Sequence, residues 1–404
     1  MSKADVRILV LDDERFMLDL MRQLLRQLGF LHVTACDNGA DALRDIGASR
    51  HPDLILLDLN MPDMDGAEFV RRLVDHGYAG SLILVSGEQE RVLNMAEKLI
   101  RAHQMNVAGH LSKPFSRDEL TAIMDKAVGN SSNGSTSPRK IYAAGELRDA
   151  IARGELINHY QPEVDVKSGA VVCVETLVRW QHPQDGLVMP DQFVGVAEEH
   201  GLIDELTQVV AQGAFAQMRR WRRAGIGLRI AINVSMDNLK STDFAERIFR
   251  SASDAGAVPQ EVILEVTESR LMLDQRSPLE VLTRLRMKRF GLAVDDFGTG
   301  HSSLSQLRDI PFDELKIDKT FVHDAWKDPT ARAIYDASLA LGKRLGMIVV
   351  AEGVEDRRDW DLLRETGCDL AQGYFIARPM PAERLVAWLG EWQTRLREDL
   401  FPDA

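Results

Sequence analysis

Short apolar runs separated by helix-length amphipathic stretches recur along the whole chain, and this alternation restricts the fold before any single residue is weighed. Five runs precede residue 129: VRILVL (6–11), LHVTA (31–35), DLILLD (53–58), SLILVS (81–86) and NVAGHL (106–111). Eight follow residue 154: INHYQPEV (157–164), VVCVETLV (171–178), LRIAINV (228–234), VILEVTE (262–268), LAVDDF (292–297), ELKID (314–318), MIVVAE (347–352) and LAQGYF (370–375). Alternating β and α elements build parallel sheets covered by helices, so the class is α/β. The first set predicts a doubly wound, five-stranded parallel sheet, and the second predicts a TIM-type barrel. The first two barrel runs are joined by DVKSGA, long enough for a hairpin but too short for a parallel crossover. One barrel strand is therefore expected to run antiparallel.

Residues 129–140, GNSSNGSTSPRK, are small and polar with Gly and Pro, and have nothing with which to build a core. They read as a flexible linker between a domain at 1–128 and a domain at 141–404. With Lys plus Arg at 49 and Asp plus Glu at 62, the net charge is −13, which disfavours broad attachment to a nucleic-acid backbone. The N-terminus carries only a short apolar run and no apolar stretch reaches the roughly 18 residues of a membrane helix, so neither secretion nor membrane insertion is expected. Cys36, Cys173 and Cys368 are odd in number and far apart, which fits neither a disulfide framework nor a zinc motif. A reducing cytoplasm is the expected setting.

In open parallel sheets, sites form beyond the carboxyl ends of the strands. In the first domain those positions hold Asp12, Asp13, Asp58, Ser86 and Lys113. Any one of them is most simply a solvated strand-end group. Three converging carboxylates would repel unless a hard cation and an ammonium neutralised them, which Mg²⁺ and Lys113 would do. This pattern resembles the receiver domain of two-component response regulators over residues 5–128. The resemblance implies that Asp58 accepts a phosphoryl group, that Asp12, Asp13 and the Asn60 carbonyl hold Mg²⁺, that Lys113 pairs with the phosphoryl oxygens, and that Ser86 senses them. It also implies a partner sensor histidine kinase. Where the family usually places Tyr or Phe as a rotameric switch, this chain has His110.

In the barrel, polar residues interrupt the apolar runs near their ends: Glu175, Asn233, Glu265 with Glu268, Asp295 with Asp296, Lys316 with Asp318, Glu352 and Gln372. A lone carboxylate there could cap a helix or pair with a cation. Five strands carrying carboxylates around one mouth demand cations, and an oxygen-rich set with one amide and no His suits Mg²⁺ or Mn²⁺ rather than zinc or iron. Two hard cations bridged by carboxylate serve in-line displacement at phosphorus. Lys316 could orient the attacking water, Glu352 could take its proton, and Arg179 could clamp a phosphate. The segments Glu175-Thr-Leu-Val-Arg179, Asn233-Val-Ser, Glu265-Val-Thr-Glu268, Asp295-Asp296-Phe-Gly-Thr-Gly, Lys316-Ile-Asp318, Glu352-Gly-Val-Glu355 and Gln372-Gly-Tyr374 are similar to the EAL family over about residues 142–390.

That resemblance implies hydrolysis of cyclic di-GMP to linear pGpG with two Mg²⁺ or Mn²⁺ ions. It implies metal ligation by Glu175, Asn233, Glu265, Asp295, Asp296 and Glu352, with Glu352 as base and Lys316 at the water. It implies substrate contacts from Gln161, Arg179, Asp318, Gln372, Tyr374 and Pro379, a loop anchored by Glu268, and a homo-oligomer. The expected protein is a response regulator whose hydrolase is controlled by phosphorylation, with no direct DNA binding. A receptor that binds the nucleotide without turnover is the alternative, and a scaffold acting only through its first domain would leave the barrel carboxylates without a role.

Overall fold

The computed structural model describes residues 3–48, 51–62, 64–78, 80–87, 93, 96–97, 100, 105–133, 142–267, 276–299, 307 and 310–400. The chain divides into two compact units, Met1–Lys140 and Ile141–Ala404.

The first unit is a parallel sheet of β1 (Arg7–Leu11), β2 (His32–Cys36), β3 (Leu54–Asp58), β4 (Ser81–Ser86) and β5 (Asn106–Ser112), in the order β2-β1-β3-β4-β5. The central strand β3 is buried along its whole length, as its unbroken LILL run requires. One face packs Leu9, Leu57 and Phe69, and the other packs Ile8, Leu56 and Met124. The last helix, Arg117–Asn133, runs past residue 128 into the segment read as a linker, and 134–140 lie outside the described residues. No described helix is long and apolar enough to cross a membrane.

The second unit is a closed eight-stranded barrel of β6 (Leu156–Asp165), β7 (Val171–His182), β9 (Arg229–Val234), β10 (Val262–Thr267), β11 (Gly291–Phe297), β12 (Glu314–Ile317), β13 (Ile348–Ala351) and β14 (Leu370–Ala371). Two short strands, β8 (Gly186–Val188) and β15 (Met380–Pro381), extend it at β7 and β6. β6 is antiparallel to both of its barrel neighbours, β7 and β14, and it is the antiparallel stave that the short DVKSGA connection requires. The other staves pair in parallel from β7 through β14.

The run expected as a strand over 370–375 is cut to two residues. After Ala371 the backbone leaves the barrel wall to bond the end of β13 and the segment after it: the Gln372 amide donates to Ala351 O (2.9 Å), the Val354 amide to Gln372 O (3.0 Å) and the Phe375 amide to Val354 O (2.9 Å). Cys173, Ala231, Ile263 and Ala293 pack together as an apolar cluster beneath the polar mouth.

Candidate functional site

The antiparallel entry of β6 sets the site's geometry. Its register puts Gln161 opposite Glu175 and Glu163 opposite Cys173, so alternate β6 side chains enter the barrel beside those of β7. β9 and β10 then align Asn233 with Glu265, and β10 and β11 align Thr267 with Asp295. Between β11 and β12 the register slips at Val294/Phe297, and Asp296 sits in the left-handed region at φ +55°. A regular strand would send Asp295 and Asp296 to opposite faces. The bulge instead brings carboxylate oxygens of Asp295, Asp296 and Glu352 within 4.8 Å of one another.

Lys316 stands in the centre with no exposed surface. Its Nζ lies 2.8 Å from Glu265 Oε1 and 2.7 Å from Glu352 Oε1, and 3.7 Å from oxygens of both Glu175 and Asp295. Burial works against its charge, but the surrounding carboxylates outweigh burial and hold the ammonium well above its ordinary pKa. Glu175 accepts hydrogen bonds from Asn233 Nδ2 and Gln372 Nε2, each 2.7 Å. Burial raises the pKa values of Glu265, Asp295 and Glu352, against the opposing pull of Lys316. Asp296 is pushed up to about 6, first by burial and then by the negative charges of Asp295 and Asp318. One ammonium does not neutralise this many acids, and Glu265 Oε2 and Asp295 Oδ1 are buried without a hydrogen-bond partner. Such oxygens are suited to a hard cation.

Among the expected substrate residues, Gln161 donates through Nε2 to Ala377 O (3.0 Å), fixing the segment that leads to Pro379. Gln161, Gln372 and Tyr374 line one cavity with Glu175 and Glu352, and Tyr374 is 51% exposed at its rim. Arg179 is buried, donates to Val178 O (2.8 Å), and has its pKa lowered by burial. Asp318 lies deeper than a rim contact: it caps the short helix Lys319–Val322 by accepting from the Thr320 amide (2.8 Å). Glu268 and Gly300 lie outside the described residues, while Gly298 takes φ +99°.

Several residues were not singled out from the sequence. An apolar cavity of about 480 Å³ opens beside Glu175 and Asn233, lined by Leu177, Pro190, Ile203 and Met236, with Asp191 among its few charged groups. Its walls come from segments far apart in sequence, so no local pattern announces it. Beneath the mouth, Glu163 is buried with neither carboxylate oxygen hydrogen-bonded, and is pushed up to about 7 chiefly by burial. Arg229 and Glu314 pair at 2.6 Å beside it in the barrel interior.

The first unit carries a second acidic site. Asp12, Asp13 and Asp58 offer oxygens within 4.8 Å of one another. Lys113 Nζ bridges Asp12 (2.7 Å) and Asp58 (2.6 Å), and the Asn60 amide donates to Asp58 Oδ1 (3.0 Å). Burial raises the Asp12 pKa, with Lys113 opposing it. Ser86 is buried at the end of β4, its carbonyl accepting from the Lys113 amide (2.8 Å). The Lys113–Pro114 peptide is cis. His110 places Nδ1 3.6 Å from Glu97.

Comparison with known proteins follows this two-part geometry. The response regulator receiver domain matches residues 8–125 and the EAL domain residues 144–379. The chain is 34% identical over 389 residues to the cyclic di-GMP phosphodiesterase RocR of Pseudomonas aeruginosa, covering 95% of this chain and 98% of RocR. It is 39% identical over 258 residues to the bifunctional diguanylate cyclase/cyclic di-GMP phosphodiesterase MucR of the same organism, covering 64% of this chain but only 38% of MucR. Among solved structures, the PaMucR phosphodiesterase in its c-di-GMP complex superposes with a TM-score of 0.57 at 40% identity, over 60% of this chain and 98% of that one. The EAL domain of Mycobacterium smegmatis DcpA gives 0.51 at 34% identity, over 58% and 98%. The chain belongs to the EAL domain family and carries a response regulator receiver domain ahead of that barrel.

Proposed function

We propose that this protein is a response regulator that hydrolyses cyclic di-GMP to linear pGpG at the barrel mouth, under control of Asp58 phosphorylation by a sensor histidine kinase. The observation that carries the reading is the ring of acids around a fully buried Lys316, with buried carboxylate oxygens left unpartnered. Glu175, Asn233, Glu265, Asp295, Asp296 and Glu352 are the residues that would hold two divalent cations, Mg²⁺ or Mn²⁺. When bound, such cations supply Lewis acidity at the phosphoryl group.

The protein's own groups do the rest. Lys316 neutralises charge developing at phosphorus and orients the attacking water. Glu352, held 2.7 Å from Lys316 with a raised pKa, accepts that water's proton. Arg179 contributes forked donors for a non-bridging phosphate oxygen. The apolar cavity of about 480 Å³ suits a purine, and its Asp191 carboxylate complements the N1–H and N2–H₂ edge of guanine. Gln161, Asp318, Gln372, Tyr374 and Pro379 bound the substrate on the other side. In the receiver, Asp12, Asp13 and the Asn60 carbonyl would hold Mg²⁺ beside the phosphoacceptor Asp58, and Lys113 and Ser86 would meet the phosphoryl oxygens. Glu268 would serve as the anchor of the loop that starts at Asp296, within a homo-oligomer working in the cytoplasm.

The test is steady-state conversion of cyclic di-GMP by the full chain in Mg²⁺ and in Mn²⁺, with product identified as pGpG. Glu352→Gln is expected to keep nucleotide binding and to lose at least about 100-fold in kcat. Tight binding without turnover of the unmutated chain in either metal would replace the enzyme by a nucleotide receptor.

A further inference from the structure

The segment that follows β13 carries Glu352, and three of its backbone amides hold it in place as donors. The Glu352 amide donates to Ile317 O (3.1 Å), the Val354 amide to Gln372 O (3.0 Å), and the Glu355 amide to Asp359 Oδ2 (3.0 Å). The third differs from the others because its acceptor is a side chain with no exposed surface. Asp359 accepts at both oxygens: Oδ1 from the Asp324 amide (3.0 Å), and Oδ2 from His323 Nδ1 (2.9 Å) as well as from Glu355. One buried carboxylate thus ties the Glu352 segment to the chain that continues from Lys316 and Asp318, and His323 is its one side-chain donor among the described residues.

We propose that Asp359 and His323 form a protonation-tuned brace in which both are positioning residues, holding the Glu352–Glu355 segment against the barrel so that Glu352 meets the reacting centre. The inference rests on the hydrolase reading of the mouth. A buried carboxylate accepting three hydrogen bonds holds them more strongly when one donor is charged. His323 faces Asp359 at 2.9 Å, Asp324 at 3.4 Å and Glu355 at 3.9 Å, while Lys327 pairs with Asp324 at 2.9 Å and Arg358 stacks on Trp326 nearby. Partial burial works against the imidazolium, but the three acids outweigh it and raise the His323 pKa above its ordinary value. The charged brace is therefore present below that raised value, and it weakens to a neutral hydrogen bond as pH rises through it.

Full-length wild type, Asp359→Asn and His323→Gln are compared by kcat and KM for cyclic di-GMP from about pH 6 to 9, together with amide hydrogen exchange at Glu355. Asp359→Asn replaces one accepting oxygen by an NH₂ donor, which in either orientation of the amide faces at least one N–H that the carboxylate had satisfied. It is expected to lower kcat by about 10-fold or more with KM within about 2-fold, and to speed Glu355 exchange. His323→Gln keeps a hydrogen-bonding side chain without the charge, so the wild-type to variant kcat ratio is expected to be largest at low pH and to fall toward a constant at high pH. A ratio flat across the range, an unchanged kcat in Asp359→Asn, or a lost kcat with unaltered Glu355 exchange would each overturn the brace. Absence of turnover in wild type would instead overturn the hydrolase reading, and Glu355 exchange in the variants would still decide whether Asp359 holds the segment.

Discussion

Lys316 has no exposed surface and touches Glu265 and Glu352, with Glu175 and Asp295 a further ångström away. Removing one partner from a buried ion pair costs about 3–5 kcal/mol because the remaining charges are left uncompensated. Lys316→Met should therefore lower the stability of the metal-free chain by that order, measured by denaturant unfolding in chelator. Because divalent cations would offset the same acids, saturating Mg²⁺ should recover more stability in the variant than in wild type. Turnover should fall about 100-fold or more even in Mg²⁺. Equal Mg²⁺ stabilisation of both proteins would remove the acids around Lys316 from the cation site. These residues were legible in the sequence because each breaks an apolar run, and a charge inside a strand needs a reason. Asp359 was not legible, since an acid in the first turn of the helix Arg357–Thr366 is ordinary N-terminal chemistry. Only its burial and its three donors set it apart.

At the scale of elements, the site depends on two places where strands stop being regular. The Asp295–Asp296 bulge is one, and its position could not be read from LAVDDF because regular alternation would have placed the two acids on opposite faces. The early end of β14 is the other. There the backbone of Gln372–Tyr374 folds against Val354, and a Cβ on Gly373 would lie 2.2 Å from Val354 O and 2.3 Å from Val354 N. Both neighbours are backbone atoms, so no rotamer change can relieve the contact. Gly373→Ala should force the Gln372 and Glu352 segments apart at a cost of about 1–3 kcal/mol. It should lower kcat for cyclic di-GMP at least several-fold while leaving the receiver's phosphoacceptance intact. A fully active Gly373→Ala protein would show that the two segments can separate without harm to the site. That one barrel strand runs antiparallel, by contrast, was legible from connection length alone, since DVKSGA cannot carry a parallel crossover, and the structure identifies it as β6.

For the whole molecule, the two compact units each hold an acidic site built around a lysine, and they differ in how the lysine sits. Lys316 has no exposed surface, whereas the side chain of Lys113, bridging Asp12 and Asp58, is 15% exposed. A phosphoryl group on Asp58 would bond to one carboxylate oxygen, take away the carboxylate's charge and put phosphoryl oxygens beside Lys113, which now contacts Asp58 Oδ2 at 2.6 Å, so modification must rearrange that bridge. Any effect on hydrolysis then requires a differential interaction between the modified and unmodified receiver and the rest of the molecule. The expected result is that a small phosphodonor such as acetyl phosphate changes cyclic di-GMP turnover by wild type but not by Asp58→Ala. The basal rate of Asp58→Ala should match that of untreated wild type, because the barrel's acids, Lys316 and cavity belong to the second unit alone. A phosphodonor response that survives Asp58→Ala would place control at another group. An unchanged rate in wild type that has been phosphorylated, with incorporation verified by mass, would uncouple the receiver from the hydrolase.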